Sequence, residues 1–224
     1  DNHASTIEFA IGVGNTEVIM LDNALPILEE DSTVINGMTQ TGAPGGVRIN
    51  CANIGAQQQD IIRIHGNYAE LYGLEIYNYT VSEDMNVVGT GSLIGVGCIF
   101  VLVSPTTVKI GAANRGNILH STFRTRSTAA SYANGIAVHS GTEIIIQGNR
   151  IGTNYEADSK LPLYGEGIRI DENNFGETII GGSSPDEGNI IGASSNGIGI
   201  YGGDGEIKGN SIGVSPDKLH NLGN

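Results

Sequence analysis

The chain has 224 residues, which is enough for one domain with a substantial buried core. Its 24 acidic residues outnumber its 11 Lys and Arg residues, which gives a net charge of −13 at neutral pH. This charge disfavours binding to nucleic acid, which requires a basic surface, and docking on an anionic membrane. Glycine contributes 34 residues and only 16% of residues are charged, a composition that excludes helical bundles and coiled coils.

Short apolar runs separated by polar turns fill the first third of the chain. They include STIEFAI from Ser5, ALPIL from Ala24, VRINC from Val47 and GLEIYN from Gly73. Runs of this length, rich in Ile and Val and bounded by turn residues, predict short β-strands.

The middle of the chain has two stretches without a regular pattern, residues 81–107 and 125–132, which we interpret as longer loops. The longest apolar stretch, residues 93–103, is too short to span a bilayer, so we expect no membrane insertion. Just before the first stretch, the tripeptide NYT at Asn78 is an acceptor pattern for N-glycosylation. Because this tripeptide is common by chance, it makes Asn78 a candidate and no more.

The two cysteines, Cys51 and Cys98, do not belong to a CxxC pair, which argues against a zinc or redox motif. Cys51 has the same parity as Val47 and Ile49, and Cys98 has that of Phe100, so both side chains are expected to point into the core. Two buried, reduced thiols are favoured because free cysteine behaves as a small apolar residue. A disulfide between Cys51 and Cys98 is the alternative, and it requires Cα atoms within about 7 Å.

Two short motifs recur in step along the second half of the chain. The string Gly-Asn-x-Ile/Leu begins at positions 116, 148, 188 and 209, and in the last three copies a further glycine follows directly. The string Asn/Glu-Gly-Ile-x-Ile/Val begins at positions 134, 166 and 196, which places its glycines 32 and 30 residues apart. Two independent motifs that recur in the same order at a nearly constant spacing indicate a repeat architecture.

Within each repeat, apolar residues alternate with Ala, Arg or Gly, as in the NGIAV, EGIRI and NGIGI segments. A period of two is typical of a strand with one buried face. Stacked coils, with parallel strands about 4.8 Å apart along the axis, explain both the alternation and the repeat. The predicted fold is therefore all-β, a parallel β-helix with few or no helices, and it forms a single domain over residues 1–224.

Asparagine recurs at one corner of the predicted coils, and the four residues concerned are Asn117, Asn149, Asn189 and Asn210. Asparagine tolerates the left-handed backbone conformation that a sharp corner requires. Stacked asparagine side chains also form hydrogen bonds from coil to coil as a ladder. We therefore predict that these four residues have a structural role at the corner and do not bind a ligand.

Several segments carry a resemblance to a known family. STVINGMTQTG from Ser32, GLEIYN from Gly73, GNRIGTN from Gly148 and GNSIGVSPDKLHNLGN from Gly209 resemble the β-helix domains of large secreted microbial cell-surface proteins. The resemblance implies a right-handed, single-stranded parallel β-helix of the pectate-lyase-like superfold and an extracellular, cell-surface location. It is specific for the fold and weak for activity. Since such domains often continue past the LGN that ends at Asn224, we expect the chain to be part of a longer protein.

Many enzymes that cleave polysaccharides have a parallel β-helix fold, so the carboxylates of the sequence are candidate catalytic groups. A glycoside hydrolase needs two carboxylates that face one groove about 5 to 10 Å apart. The candidates fall mostly in predicted loops, and they are Asp158, Asp171, Glu172, Asp186 and Glu187. Arg169 beside Asp171 is the only arrangement typical of a lyase, and a pair of this kind is more often a surface ion pair of little consequence. We therefore assign no catalytic residue.

Two glycine-rich strings partly match ligand-binding motifs. The GxGxxG match at Gly197 precedes no predicted helix, so it offers no site for a pyrophosphate. The string GGDG at Gly202 matches half of a calcium-binding nonapeptide but is not repeated, so no cofactor is predicted and Ca²⁺ is a minor alternative. The eight tyrosines either stack on sugars or cover the seams between coils.

The favoured function is an extracellular structural or interaction module, a rigid acidic rod of a surface layer, sheath, fibre or adhesin. Because the ends of a β-helix expose unpaired strand edges, the expected partners are further copies stacked end to end or neighbouring domains of a parent protein. The alternative is a carbohydrate-binding or polysaccharide-cleaving domain that contacts glycans through the loops between Val81 and Tyr132. A calcium-dependent surface protein is a third hypothesis, suggested by the 24 acidic residues.

Overall fold

The computed structural model describes residues 4–12, 18–54, 60–78, 80–81, 96–101, 105–124, 133–172, 174 and 176–224. The regular structure in these residues is almost entirely β-strand. In chain order the strands are β1 (Ser5–Glu8), β2 (Val18–Met20), β3 (Thr33–Asn36), β4 (Val47–Asn50), β5 (Ile62–Ile64), β6 (Ala69–Tyr72), β7 (Leu74–Tyr77), β8 (Thr80–Val81), β9 (Val96–Val101), β10 (Thr107–Ile110), β11 (Ile118–His120), β12 (Phe123–Arg124), β13 (Ala133–Val138), β14 (Glu143–Ile146), β15 (Arg150–Ile151), β16 (Glu166–Ile170), β17 (Glu177–Gly181), β18 (Ile190–Ile191), β19 (Asn196–Ile200), β20 (Asp204–Lys208) and β21 (Ser211–Ile212).

Helical structure in the described residues consists of three 3₁₀ turns, Gly37–Thr39, Ala52–Ile54 and Pro185–Glu187. None of the described helices is long and apolar enough to cross a membrane. The short strands and the lack of longer helices in this part of the chain follow from its dense punctuation by glycine and asparagine.

The strands form three long sheets in which every pairing is parallel. Sheet A has the order β1-β3-β6-β10-β14-β17-β20, sheet B the order β2-β4-β7-β11-β15-β18-β21, and sheet C the order β19-β16-β13-β9-β5. Strands β12 and β8 form a fourth, two-stranded parallel sheet. The chain passes from sheet A to sheet B to sheet C and then returns to sheet A one position further along. This topology is a right-handed parallel β-helix, as predicted.

The core consists of columns of aliphatic side chains that stack from coil to coil. In sheet A one column runs through Ile7, Ile35, Leu71, Ile110, Ile146, Ile180 and Ile207. The five inner members are buried, whereas Ile7 and Ile207 at the two ends are 45% and 50% exposed. Sheet B has the matching column Ile19, Ile49, Ile76, Leu119, Ile151, Ile191 and Ile212, in which Ile212 is also exposed. Each inner coil is therefore covered by its neighbours, and the end coils are covered on one side.

The stretches expected as irregular loops lie largely outside the described residues. Within the first of them, residues 81–107, Val96–Val101 form strand β9 and Thr107 begins strand β10. The second, residues 125–132, lies wholly outside the described residues.

The two cysteines lie on strands or at their ends. Cys51 follows β4 and is a free thiol that is almost fully buried. Burial raises the pKa of the Cys51 thiol to about 12, which keeps it protonated and unreactive at neutral pH. Cys98 lies in β9, but its side chain is outside the described residues, so its buried, reduced state remains a prediction.

Candidate functional site

The four recurring asparagines stack directly on one another at the corner between sheets A and B. The Nδ2 group of Asn117 donates to Oδ1 of Asn149 at 3.0 Å, Asn149 donates to Asn189 at 2.9 Å, and Asn189 donates to Asn210 at 2.8 Å. Each receiving oxygen also accepts the backbone N–H of the preceding asparagine. The second Nδ2 proton bonds a strand carbonyl of sheet A, for example that of Ile110 for Asn149. Asn117, Asn149 and Asn189 are completely buried, so the ladder satisfies the polar groups of a dry corner.

The ladder differs in one respect from the expectation for a corner. None of the four asparagines, all of which the structure describes, has the left-handed backbone conformation. That conformation falls on a glycine, as at Gly148 and Gly209, which directly precede two of them. The asparagines therefore occupy the corner because of their hydrogen-bonding amides, and the glycines provide the backbone turn.

The corner changes its construction in the N-terminal coils. Oδ1 of Asn117 accepts the backbone N–H of Leu74 at 3.1 Å, and the ladder ends there. One coil further on, Gly46 has φ +86° and lies so close to Gly73 that an added Cβ would be 1.8 Å from the Gly73 carbonyl oxygen. The same oxygen accepts the backbone N–H of Val47 at 2.9 Å. The close approach of glycines is shared with the ladder coils, where Gly116 lies against Gly148, so the parts differ in the acceptor of the N–H that follows the glycine.

The outer face of sheet B carries an elongated depression, which we call the sheet B groove. It has a volume of about 390 Å³, within the range typical of ligand sites. Five coils contribute to it, from the one that contains Pro44 to the one that contains Ser211, whereas the coil of β7, which lies between those of β4 and β11, contributes no lining residue. Its floor is an outward-facing row of sheet B that includes Ile118, Arg150 and Ile190. It is therefore elongated along the axis of the β-helix.

The two sides of the groove come from the turns that flank sheet B. Pro44, Asn114 and Asp186 lie in turns that precede its strands, whereas Tyr155 and Pro216 lie in turns that follow them. Asn114 donates to the Asp186 carboxylate at 3.2 Å, which links two of these turns. The walls thus combine apolar rings with amide and carboxylate groups.

An ion-pair row continues the groove floor toward the N-terminal coils, where a smaller depression of about 290 Å³ adjoins the groove. The Glu75 carboxylate accepts from Arg48 Nε at 2.8 Å and contacts His120 Nε2 at 3.1 Å. The Tyr77 ring stacks on the His120 ring with centroids 5.4 Å apart. Burial tends to raise the pKa of Glu75, but the hydrogen bond from His120 and the Arg48 charge outweigh it, so this pKa lies below its ordinary value. The row joins three coils through one ionised carboxylate.

Arg150 and Tyr155 form a stacked pair on the groove surface. The Arg150 guanidinium lies 4.8 Å from the centroid of the Tyr155 ring. Nε of Arg150 is buried and makes no hydrogen bond to the described residues, and none of the described carboxylates pairs with this guanidinium. Arg150 is therefore a cation in the groove that is oriented by an aromatic ring and not neutralised by an acid of the described part of the chain.

A separate polar cluster lies on the outer face of sheet C around Arg169. Nε of Arg169 donates to Asp171 at 2.6 Å and Nη1 donates to Glu166 at 3.2 Å. Glu166 also accepts from the Tyr201 hydroxyl at 2.7 Å and from Asn196 at 3.0 Å. Glu166 and Asp171 are both buried. Because one guanidinium and several donors satisfy these two carboxylates, the cluster is suited to holding coils together.

Burial and hydrogen bonding shift two pKa values in this cluster. Burial tends to lower the pKa of Arg169, but the hydrogen bond and charge of Asp171 outweigh it, so the pKa is raised. The hydrogen bond to Glu166 raises the pKa of Tyr201. The sequence indicated the pairing of Arg169 with Asp171, but it gave no sign of the contribution of Glu166, at the start of the same strand, or of Tyr201, from the next coil.

The remaining candidates from the sequence lie apart from one another. Asn78 has a left-handed backbone, with φ 59°, and its Nδ2 group donates to Asn50 at 3.2 Å, so its glycosylation remains a prediction. Gly197 lies in strand β19 and Gly202 directly follows Tyr201, so neither string opens a described helix. The residues that the structure describes contain no group of three or more His, Cys, Asp or Glu side chains arranged to hold a metal ion.

The candidate carboxylates also lie apart from one another. Asp186 contributes to the sheet B groove, and Glu187 caps the 3₁₀ turn by accepting the Ser184 N–H at 2.9 Å. Asp158 accepts from Ser159 and Asn154, and these bonds lower its pKa. The sequence missed the sheet B groove because its lining comes from turns up to 172 residues apart, Pro44 and Pro216.

Comparison of the chain with protein-family models, with curated proteins and with solved structures found no match to any of them. The likeness to β-helix domains of cell-surface proteins therefore remains a resemblance between short sequence segments. The strand topology establishes the fold.

Proposed function

We propose that the chain is an extracellular structural module, a rigid acidic β-helix rod of a surface layer, sheath, fibre or adhesin that stacks end to end. The observation that carries this proposal is the sheet A column, whose inner members are buried and whose end members, Ile7 and Ile207, are about half exposed. Exposed aliphatic side chains at the edge of a parallel sheet favour addition of a further strand. The extracellular location rests on the sequence resemblance.

The two ends are complementary in a definite register. If Ile207 of one copy stacks on Ile7 of the next, as Ile180 stacks on Ile207 within the chain, then Lys208 faces Glu8 and Glu206 faces Thr6. Opposite charges directly across a strand pair are favourable. Contact between the C-terminal face of one copy and the N-terminal face of the next is heterologous, so it generates an open filament.

Negative-stain electron microscopy and light scattering of the purified chain over a range of concentrations test this proposal. Filaments with an axial repeat near a multiple of about 4.8 Å are expected. Lys208→Glu should shorten or abolish them, and the double variant Lys208→Glu with Glu8→Lys should restore them. Lys218→Glu is the control, because it makes the same charge change in an exposed turn. Single short rods of the unaltered chain at every concentration would overturn end-to-end stacking.

A second candidate function is carbohydrate binding, which the sheet B groove favours. The groove is elongated, opens along the rod and combines an exposed tyrosine with amide and hydroxyl groups. Aromatic rings and a few placed polar groups are the usual lining of sugar sites. A binding screen of the purified chain against immobilised linear oligosaccharides tests this function, and retention of none of them would contradict it.

A further inference from the structure

The sheet B groove is lined by one arginine, Arg150, whose surroundings differ from those of Arg48 and Arg169. Arg48 is paired with Glu75, and Arg169 is paired with Glu166 and Asp171. Arg150 stacks on Tyr155 and has no carboxylate partner in the described part of the chain. A guanidinium has five N–H donors in a planar fork, so Arg150 retains donors that nothing in the described groove occupies.

The position of Arg150 is fixed before any ligand arrives. Its neighbours on the groove floor are Ile118 in one adjacent strand and Ile190 in the other. Both side chains are buried, so the arginine stem lies between two packed aliphatic residues. A guanidinium that is already ordered loses little conformational entropy on binding.

Tyr155 is held equally firmly by its own turn. Thr153 and Lys160 pair as an antiparallel bridge that closes the turn. Inside it, Asn154 Oδ1 accepts the N–H groups of Asp158 at 3.1 Å and Ser159 at 3.2 Å. The Tyr155 ring is 40% exposed, so it leaves surface for contact with a ligand while it supports Arg150.

The charges around Arg150 restrict the ligand further. Asp186 lines the sheet B groove, Glu156 lines the adjoining depression, and the whole chain has a net charge of −13. Such surroundings repel a polymer with a negative charge on every unit. A glycan that places a single carboxylate against the Arg150 guanidinium gains a charge-assisted, bidentate contact. Its neutral units are not repelled by the surrounding acids.

We propose that the sheet B groove binds a linear glycan in which uronic acid residues are separated by neutral sugars. Arg150 binds the carboxylate, Tyr155 contacts a sugar ring, and Asn114 and Ser211 contact hydroxyl groups elsewhere along the groove. The proposal rests on the second proposed function, carbohydrate binding, and adds to it the ligand class and the residue that selects it.

Calorimetric titration with three hexasaccharides of different charge density tests the proposal. The hyaluronan hexasaccharide alternates glucuronate with a neutral sugar, chitohexaose is neutral, and hexagalacturonate is charged on every unit. We expect hyaluronan to bind most tightly, at least about tenfold more tightly than chitohexaose, since a charge-assisted contact supplies a difference of this size. Binding should weaken as salt is raised.

Arg150→Gln should remove most of the preference for hyaluronan over chitohexaose. Arg115→Gln is the matched control, because Arg115 also stacks on a tyrosine, Tyr72 at 4.3 Å, and does not line the groove. Thermal unfolding of both variants checks that they fold. Equal binding of hyaluronan and chitohexaose, or equal effects of the two substitutions, would overturn the role of Arg150. Tighter binding of hexagalacturonate would overturn the proposed ligand class. Each of these outcomes would leave carbohydrate binding intact. No binding of any hexasaccharide would overturn both proposals.

Discussion

The corner between sheets A and B is built in two ways within one molecule. Glycines approach each other closely in both parts, Gly46 against Gly73 and Gly116 against Gly148, but only the C-terminal coils add a buried ladder of asparagines, from Asn117 to Asn210. The two parts differ in the acceptor of the N–H that follows the glycine. In the ladder it is the side-chain oxygen of an asparagine, and in the N-terminal coils the Val47 N–H donates to the Gly73 carbonyl. The same backbone group can therefore be satisfied by a side-chain amide or by the backbone of the next coil.

The largest effect is expected from Asn149→Leu in the middle of the ladder. This change leaves the backbone N–H and one Nδ2 proton of Asn117 without their acceptor. The Ile110 carbonyl loses one of its two donors and keeps the Gln147 N–H. Each unsatisfied buried group costs about 1–3 kcal/mol, so the free energy of unfolding should fall by about 2–6 kcal/mol. Urea denaturation measures it.

The control for this variant is Asn53→Leu, because Asn53 is exposed and makes one side-chain hydrogen bond, to Asp22. That change should cost no more than about 0.5 kcal/mol. Similar losses for the two variants would show that the ladder contributes nothing beyond an ordinary surface asparagine.

The glycine corner is tested by Gly46→Ala. The new methyl group would lie 1.8 Å from the Gly73 carbonyl oxygen, and the residue would keep its left-handed backbone. Left-handed strain of about 1–2 kcal/mol and overpacking of about 1–3 kcal/mol together predict a loss of about 2–5 kcal/mol. Gly213→Ala separates the two effects, because φ is +75° there but the nearest atom is 3.5 Å from the added carbon. If both variants lose the same stability, close backbone approach is not what this corner requires.

The smallest effect concerns Glu75, which joins coils of the two types by contacting Arg48 and His120. Its folded-state pKa is lowered, so its contribution is present above the unfolded-state pKa of about 4.3 and is lost as pH falls through the folded value. Glu75→Gln should cost about 0.5–1 kcal/mol at pH 7. The difference from the unaltered chain should shrink below pH 4. Unfolding experiments at several pH values measure this difference, and a constant difference would contradict the linkage.

The sequence was sufficient to predict one of these corners and not the other. Asn149 and its three partners recur at a visible spacing beside stacked apolar residues, so the repeat itself indicates where they lie. Gly46 and Gly73 belong to no recurring string, and their role depends on how closely two coils approach each other. A linear pattern predicts which residues share a position in successive coils, but it does not predict distances between backbones.

The same limit applies to the outer surfaces. Arg169 and Asp171 are two residues apart, and the alternation of the strand predicts that both face outward. Tyr201 joins them through Glu166, at the start of the same strand, only because of the register between β16 and β19. Arg150 and Tyr155 likewise meet through a turn whose shape depends on the internal hydrogen bonds of Asn154. Predicting which residues of different coils form a cluster requires the register between their strands. The sequence determines that register, but no sequence pattern shows it directly.

The asparagine ladder also gives the molecule an electrical direction. Every rung donates from the coil nearer the N-terminus to the oxygen of the coil nearer the C-terminus, from Asn117 through to Asn210. Aligned hydrogen-bonded amides polarise one another, and their dipoles add along the axis. The positive end of this dipole points toward the C-terminal face. In a row of such molecules joined head to tail, the dipoles would reinforce one another, whereas a head-to-head junction would oppose them.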